Sequence, residues 1–161
     1  MLLYGLTIFL SAFLLFQVQP MIAKIILPWF GGGAAVWSTC LMFFQLALLA
    51  GYFYSHLVIR FVPARVQAVV HSLLLLAAAL IPIHPGAQWK PTDEHAPLVK
   101  IVLLLSGTVG LSYLMLATTG PLLQAWYTRA TGGAAPYRLY ALSNAGSFLA
   151  LLTFPFVFEP M

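Results

Sequence analysis

The chain has 161 residues, of which 62% are hydrophobic and only 6% are charged. Soluble domains carry about 25% charged and about 45–50% apolar residues. A mean hydropathy of +0.98 therefore excludes a soluble enzyme and a disordered tail. The net charge of +4 comes from seven basic and three acidic residues that are scattered along the chain. This scatter excludes a nucleic-acid-binding domain, because such domains cluster their basic residues on one face.

Five uncharged runs divide the chain, each long enough for a transmembrane helix of about 20 residues. Backbone groups in lipid must be paired within the segment, so such runs form helices. The sequence predicts an all-α integral membrane protein with a single transmembrane domain over 1–161. Its predicted helices cover about 3–28, 35–59, 66–82, 97–119 and 137–158, with an outer loop at 84–96.

The first apolar run differs from a secretory signal peptide. It has no basic segment before it, it exceeds the usual 7–15 apolar residues, and no A-x-A-type cleavage site follows. We therefore expect a retained helix. The turn after it is marked by Pro28 and the glycines Gly31 to Gly33, which are typical turn residues.

A glycine–proline pair, Gly120-Pro121, interrupts the fourth run. Such a pair predicts a kink or a break, so the fourth helix either ends near 119 or resumes as far as Tyr127. Broken helices surround the midplane binding sites of transporters. A plain helix end followed by an interfacial turn is the alternative, because Arg129 follows closely.

The basic residues of the short loops indicate the orientation, since cytoplasmic loops carry an excess of Lys and Arg. Arg60 and Arg65 follow the second predicted helix, and Arg129 and Arg138 follow the fourth. These two loops lie on one side of the membrane, whereas the other side has at most three lysines: Lys24, Lys90 and Lys100. We expect the N-terminus on the cytoplasmic side of the membrane and the C-terminus on the outer side.

Polar residues inside the predicted helices are candidates for function, because they are costly in lipid. Lys24 either reaches the outer interface or forms a structural hydrogen bond there, or it lies on a substrate or proton pathway. Gln17 and Gln19 flank Pro20, and their amides either bind carbonyl groups freed by the proline or bond across helices. Together with Asn144 these residues are the candidate intramembrane polar site.

The fifth predicted helix carries small residues beside Asn144. Ser143, Gly146 and Ser147 allow another helix to approach closely. We expect them to form a helix-packing face rather than a binding site.

Histidines suggest a weaker cofactor hypothesis. His56 and His71 lie at similar distances from the loop that joins two neighbouring helices, so a facing pair would hold a haem, a pigment or a quinone. Packing or interfacial roles are the alternative, and no cofactor is expected. No metal site is expected either, although His84, Asp93, Glu94 and His95 share the outer loop.

An intramolecular disulfide and a zinc site built from cysteines are excluded, because Cys40 is the only cysteine and both need more than one. We expect a buried apolar thiol there. Nucleophile, phosphate-loop and zinc-protease motifs are also missing. With only three acidic residues, none in a predicted span, little acid–base chemistry is available. The sequence therefore predicts a protein without catalytic activity.

Five segments occur in the order found in one known family: FQVQPMIAK at 16–24, LPWFGG at 27–32, AVWSTC at 35–40, ATTGPLLQAW at 117–126 and YRLYALSNAGS at 137–147. Together they resemble the N-terminal membrane region of bacterial fused major-facilitator/spermidine-synthase-like proteins. The resemblance implies a partial major-facilitator-like bundle. It implies no synthase activity here, because the soluble domain of that family has no counterpart in these 161 residues.

Three functions follow as hypotheses. The first is an accessory or structural subunit that packs in the lipid bilayer against the other integral membrane subunits of a larger complex. The second is an incomplete transporter-type half-bundle that needs a second half or an oligomer. The third is a membrane subunit that holds a cofactor through His56 and His71. No nucleic acid is expected as a partner.

Overall fold

A computed structural model describes residues 1–91, 97–133 and 135–160. Within these ranges all regular elements are helical. The five long helices are α1 (Leu2–Phe30), α2 (Ala34–Phe61), α3 (Ala64–Leu80), α4 (Pro97–Ala130) and α5 (Tyr137–Phe158). A short 3₁₀ turn, Ala87–Trp89, lies in the connection between α3 and α4.

Four of these helices, α1, α2, α4 and α5, are long and apolar enough to cross a membrane, and α3 is a shorter apolar helix of 17 residues. At about 1.5 Å per residue, α3 spans about 25 Å, close to the hydrocarbon thickness of a bilayer. Many large apolar side chains point outward from the bundle. The fold is thus an all-helical, multi-pass arrangement with the surface of a membrane protein.

The observed end of helix α4 differs from the predicted end near residue 119. The helix continues through Gly120 and Pro121 and ends at Ala130. Proline withholds only one N–H and crowds only the preceding turn. The residues on both sides of the proline keep helical geometry, so the loss of this one bond does not end the helix. A π-helical turn at Ser106–Gly110 is the other irregularity in α4.

The core forms where α1 and α4 cross the centre of the bundle. Helix α1 packs most extensively against α5 and α4, whereas α2 and α3 pack against α4. The fully buried side chains come mainly from these two central helices: Ile22, Ile26, Ile101, Leu104, Leu105 and Tyr113. Helix α5 is held on one side only, by α1, and its other faces remain exposed.

Two glycines set the closest helix contacts. A Cβ atom on Gly51 of α2 would lie 2.8 Å from the Cβ of Ala117 in α4. A Cβ on Gly146 of α5 would lie 2.5 Å from the carbonyl oxygen of Phe9 in α1. Small residues allow such approach between membrane helices. Gly146, which we expected on a packing face, therefore packs within the chain.

The two arginine-bearing loops lie at the same end of the bundle. Arg129, at the end of α4, donates a hydrogen bond of 2.9 Å to the carbonyl oxygen of Ile59, next to Arg60 at the end of α2. At the opposite end the Lys90 ammonium lies 5.4 Å from the ring centre of Trp29.

Replacing Gly146 tests the α1–α5 contact. The Gly146→Ala substitution should destabilise the protein by about 1–3 kcal/mol, because the added methyl group meets the backbone of Phe9 and the helices must separate. Thermal unfolding in detergent measures this change. Gly120→Ala is the matched control: its Cβ would enter open space, so stability should be unchanged or slightly higher.

Candidate functional site

A polar cavity of about 500 Å³ lies between α1, α2, α4 and α5. Its apolar walls include Ile8, Leu15 and Phe16 of α1. None of the described residues that line it carries a formal charge. The polar side chains in its lining are Ser11, Tyr52, Gln124, Tyr140, Ser143, Asn144 and Ser147.

The α4 wall of this cavity is the turn that Pro121 interrupts. Leu116, Ala117, Gly120 and Pro121 all line the cavity. The proline ring crowds the carbonyl group of Ala117 and offers it no N–H donor. The cavity therefore borders a length of helix whose backbone pairing is weakened.

Serines from two other helices donate to the carbonyl groups of this turn. The Ser11 hydroxyl of α1 donates to the carbonyl oxygen of Leu116 at 2.9 Å. The Ser55 hydroxyl of α2 lies 2.9 Å from the carbonyl oxygen of Gly51 and 3.4 Å from that of Thr118. Both serine side chains are buried. The acceptors are the neighbours of Ala117 and not Ala117 itself, so these contacts tie α1 and α2 to this turn without replacing the donor that the proline withholds.

Five side chains of the lining are available to a ligand. Tyr52, Gln124, Tyr140, Ser143 and Asn144 line the cavity, and none of them forms a side-chain hydrogen bond within the part of the chain that the structure describes. A phenol and a carboxamide each both donate and accept hydrogen bonds. The cavity thus offers neutral groups of both kinds to an uncharged polar molecule.

Sequence reasoning named one polar site, but the structure separates its members. Only Asn144 lines the cavity, where it is exposed. The Gln17 amide donates to the carbonyl oxygen of Ala150 in α5 at 2.9 Å. The Gln19 amide donates to the hydroxyl of Tyr113 in α4 at 2.6 Å. Both glutamines thus bond across helices, one of the two alternatives given above.

Lys24 lies apart from the cavity. Its side chain is exposed, and its ammonium group donates to the backbone carbonyl of Glu159, just beyond the end of α5. A cation beside the carbonyl end of a helix is a favourable arrangement, because those carbonyl groups lack partners within the helix. The geometry matches the interface-directed interpretation of Lys24 better than a role on a pathway.

The small residues of α5 divide between two roles. Gly146 is buried against α1, whereas Ser143 and Ser147 line the cavity. Ser147 donates to the carbonyl oxygen of Ser143 at 3.1 Å within the same helix. The α5 segment we expected to be a packing face is therefore half packing surface and half cavity wall.

The two histidines lie in different surroundings. His71 is buried, and its ring centre lies 6.5 Å from that of Trp126 in α4. Neither of its ring nitrogens has a hydrogen-bond partner among the described residues. His56 is exposed. Two axial ligands must face one cofactor, and this difference in burial does not favour such a pair, so the cofactor hypothesis stays a prediction.

Sequence reasoning missed Gln67, which is fully buried one turn before His71. Its amide donates to the carbonyl oxygens of Val58 and Val62 at 3.0 and 2.7 Å, at the end of α2. Its own oxygen accepts the indole N–H of Trp126 at 2.8 Å. In the sequence, the feature that could have identified Gln67 is its position as a single amide in an apolar helix close to a loop.

A second cavity, of about 170 Å³, lies on the other side of the α1–α4 crossing. Its lining includes Gln19, Cys40 and Phe44. The Tyr113 ring, which is fully buried, lies 5.0 Å from that of Phe44 and bonds to Gln19 through its hydroxyl. We call Gln19, Phe44 and Tyr113 the partition. Tyr113 precedes Ala117 of the larger cavity by one helical turn.

Cys40 is buried, as the sequence predicts. The described residues contain no cluster of three or more His, Cys, Asp or Glu side chains. Of the outer-loop group, Asp93, Glu94 and His95 lie outside the described residues.

Comparisons of the chain with protein-family models, curated proteins and solved structures give no match. The resemblance to the fused major-facilitator/spermidine-synthase-like proteins therefore stays a prediction.

The interhelical serine contact can be tested by Ser11→Ala. Removing the hydroxyl leaves the Leu116 carbonyl without its donor from α1, so stability should fall by about 0.6–1.7 kcal/mol. Thr7→Ala is the control, because the Thr7 hydroxyl donates only to Leu3 within α1 and is exposed. Equal losses for the two variants in detergent unfolding would contradict the structural role of Ser11.

Proposed function

We propose that the chain is a transporter-type protein of the bacterial inner membrane that binds a small uncharged polar solute. The solute lies in the cavity of about 500 Å³ described above, which we call the solute cavity. The observation that carries this proposal is a neutral, hydrogen-bonding cavity beside an interrupted helix within an otherwise apolar bundle. Polar groups inside a membrane protein mark substrate pathways because their burial in lipid is costly.

The packing of the helices supports this proposal. The most extensive contacts pair α1 with α5 and α2 with α4, and α1 also packs against α4. Exchanging α1 with α4 and α2 with α5 leaves these three pairs unchanged, as expected for inverted repeats, whereas the α3–α4 and α1–α2 contacts have no counterparts of similar extent among the described residues. The exchanged helices α1 and α4 both contain interior prolines, Pro20 and Pro121. Paired interruptions of this kind border the binding sites of secondary transporters.

A major-facilitator half contains six helices, so the five helices would act as part of a larger bundle, with a second set of helices or with another copy. The exposure of Tyr140 and Asn144 in the cavity wall supports this arrangement. Further helices on that side would enclose the solute.

The proposed orientation places the arginine-bearing loops in the cytoplasm. A further cavity of about 490 Å³ shares Pro121, Gln124 and Tyr140 with the solute cavity and extends to Arg129 and Pro136 at that end. The cavity therefore opens towards the cytoplasm in this conformation, and the partition lies on its outer side.

The accessory-subunit hypothesis has less support. Its main argument was a free small-residue face on α5, and Gly146 of that face is already used by α1. The cofactor hypothesis depends on two histidines whose surroundings differ. Binding of a solute in the cavity uses the observed geometry without rearrangement.

Thiol labelling distinguishes a water-filled cavity from a lipid-facing surface. In a Cys40→Ser background, Asn144→Cys should react with a charged, water-soluble thiol reagent in native membranes, because Asn144 lines the polar cavity. Phe148→Cys is the control: Phe148 is 65% exposed on the same helix but lines none of the described cavities, so it should face lipid and react slowly. Equal labelling of both positions would overturn the proposal.

Solute specificity is tested by uptake into vesicles. We expect uptake of a labelled neutral polyol or amide to be lost in Asn144→Leu and retained in Gln45→Leu, an exposed position of α2 away from the cavity. A labelled polyamine should not compete, because the described lining has no carboxylate for its ammonium groups. Uptake of only charged solutes would refute this proposal.

The partition can be tested with Cys40 as reporter, since it is the only cysteine and is 2% exposed. Tyr113→Phe removes the hydrogen bond from Gln19. It should raise labelling of Cys40 by an impermeant reagent applied from the cytoplasmic side about fivefold, the effect of losing about 1 kcal/mol. Tyr127→Phe, on the same helix, is the control and should leave labelling unchanged. A wild-type rate in Tyr113→Phe would show that the partition does not close the route.

A further inference from the structure

An apolar groove of about 590 Å³ lies between the beginnings of α1 and α5, away from the solute cavity. Its wall from α1 consists of Leu2, Gly5, Leu6 and Phe9, and its wall from α5 includes Ala141 and Leu142. Gly5 allows the helices to approach, since a Cβ there would lie 2.9 Å from a methyl carbon of Leu142. The groove is long and lined almost entirely by hydrocarbon.

One charged residue marks the end of this groove. Arg138 lies in the first turn of α5 and lines the groove. Its guanidinium group forms no hydrogen bond or ion pair with any residue in the ranges that the structure describes. A guanidinium group binds phosphate through paired N–H donors.

A more polar cavity of about 310 Å³ adjoins the groove at its Arg138 end. It shares Met1 and Arg138 with the groove and is also lined by Tyr127, Pro136 and Tyr137. Apolar groove and polar cavity therefore meet at Arg138. Tyrosines are enriched at the level of lipid headgroups, so this junction has the chemistry of a membrane interface.

The dimensions fit a lipid within one leaflet. Residues 1–9 of α1 rise about 12 Å along the helix axis, which lies within the half-thickness of about 15 Å of a hydrocarbon core. Arg138 belongs to the arginine-bearing end, which the loop charges assign to the cytoplasmic side. Anionic phospholipids bind to basic pockets between helices on that side.

We propose that this groove and the adjoining polar cavity form a binding site for an anionic phospholipid. The acyl chain lies along Leu2, Leu6 and Phe9, and the phosphate is bound by Arg138. The site is independent of the solute cavity, so it stands whether or not a solute is transported. A single guanidinium contact is the part of the site that selects the charge of the headgroup.

The experiment uses purified protein in detergent and compares phosphatidylglycerol with phosphatidylcholine of the same chain length. Wild-type protein should gain more thermal stability from phosphatidylglycerol. Arg138→Gln should weaken the preference about fivefold in apparent affinity, the loss expected for one basic contact at an anionic headgroup. Arg65→Gln, which removes an exposed arginine outside the groove, should keep the preference. Equal preference in Arg138→Gln and wild type would overturn the proposal.

A second pair of variants tests the acyl-chain part without altering charge. Ala141→Trp fills the groove and should abolish stabilisation by phosphatidylglycerol, whereas Ala145→Trp, one turn further along α5 and outside the groove, should retain it. Inorganic phosphate and glycerophosphoglycerol serve as headgroup-only probes. If either stabilises the protein as well as the intact lipid does, the groove has no role and the proposal fails. Equal effects of both phospholipids on wild-type protein would also refute it.

Discussion

Pairing of the backbone carbonyl groups is the constraint on which this structure depends. In apolar surroundings an unpaired carbonyl group is costly, and prolines and helix ends weaken the pairing. Side chains of other helices donate to carbonyl groups close to these places: Ser11 to Leu116 near Pro121, Gln17 to Ala150 near Pro155 and Gln67 to Val62 at the end of α2. The polar side chains of the helices are therefore used mainly to bind backbone, and they fix which helices are neighbours.

The same constraint explains the position of the solute cavity. Pro121 leaves the Ala117 carbonyl group without its helical donor, and this turn borders the cavity instead of a packed apolar face. The donors to the neighbouring carbonyl groups are small serines, which leave space that larger side chains would fill. Amides and phenols that the backbone does not require, such as Gln124 and Tyr140, then line that space. The cavity therefore lies where the helix is interrupted and its neighbours are small.

The sequence predicted the number and the class of the helices because both follow from the lengths of the uncharged apolar runs, which have few alternatives in lipid. It left the end of α4 open between residue 119 and Tyr127, because Pro121 removes one backbone bond and the sequence does not show that the helix continues despite this loss. It grouped Gln17, Gln19, Lys24 and Asn144 as one site because their facing directions depend on packing. The sequence predicted that the glutamines bond across helices as one of two alternatives, but it did not predict their partners.

The distribution of charge also bears on what the bundle can bind. The positive side chains of the described region lie near helix ends, where Lys24 and Arg129 bind terminal carbonyl groups and Lys90 lies over an indole ring. The described lining of the solute cavity has none. A charged solute there would lose its hydration without gaining an opposite charge, a large cost in a low-dielectric interior. A neutral solute exchanges hydrogen bonds with water for similar bonds with amides and phenols. The absence of charge in the described lining therefore favours uncharged solutes, whatever individual contacts they form.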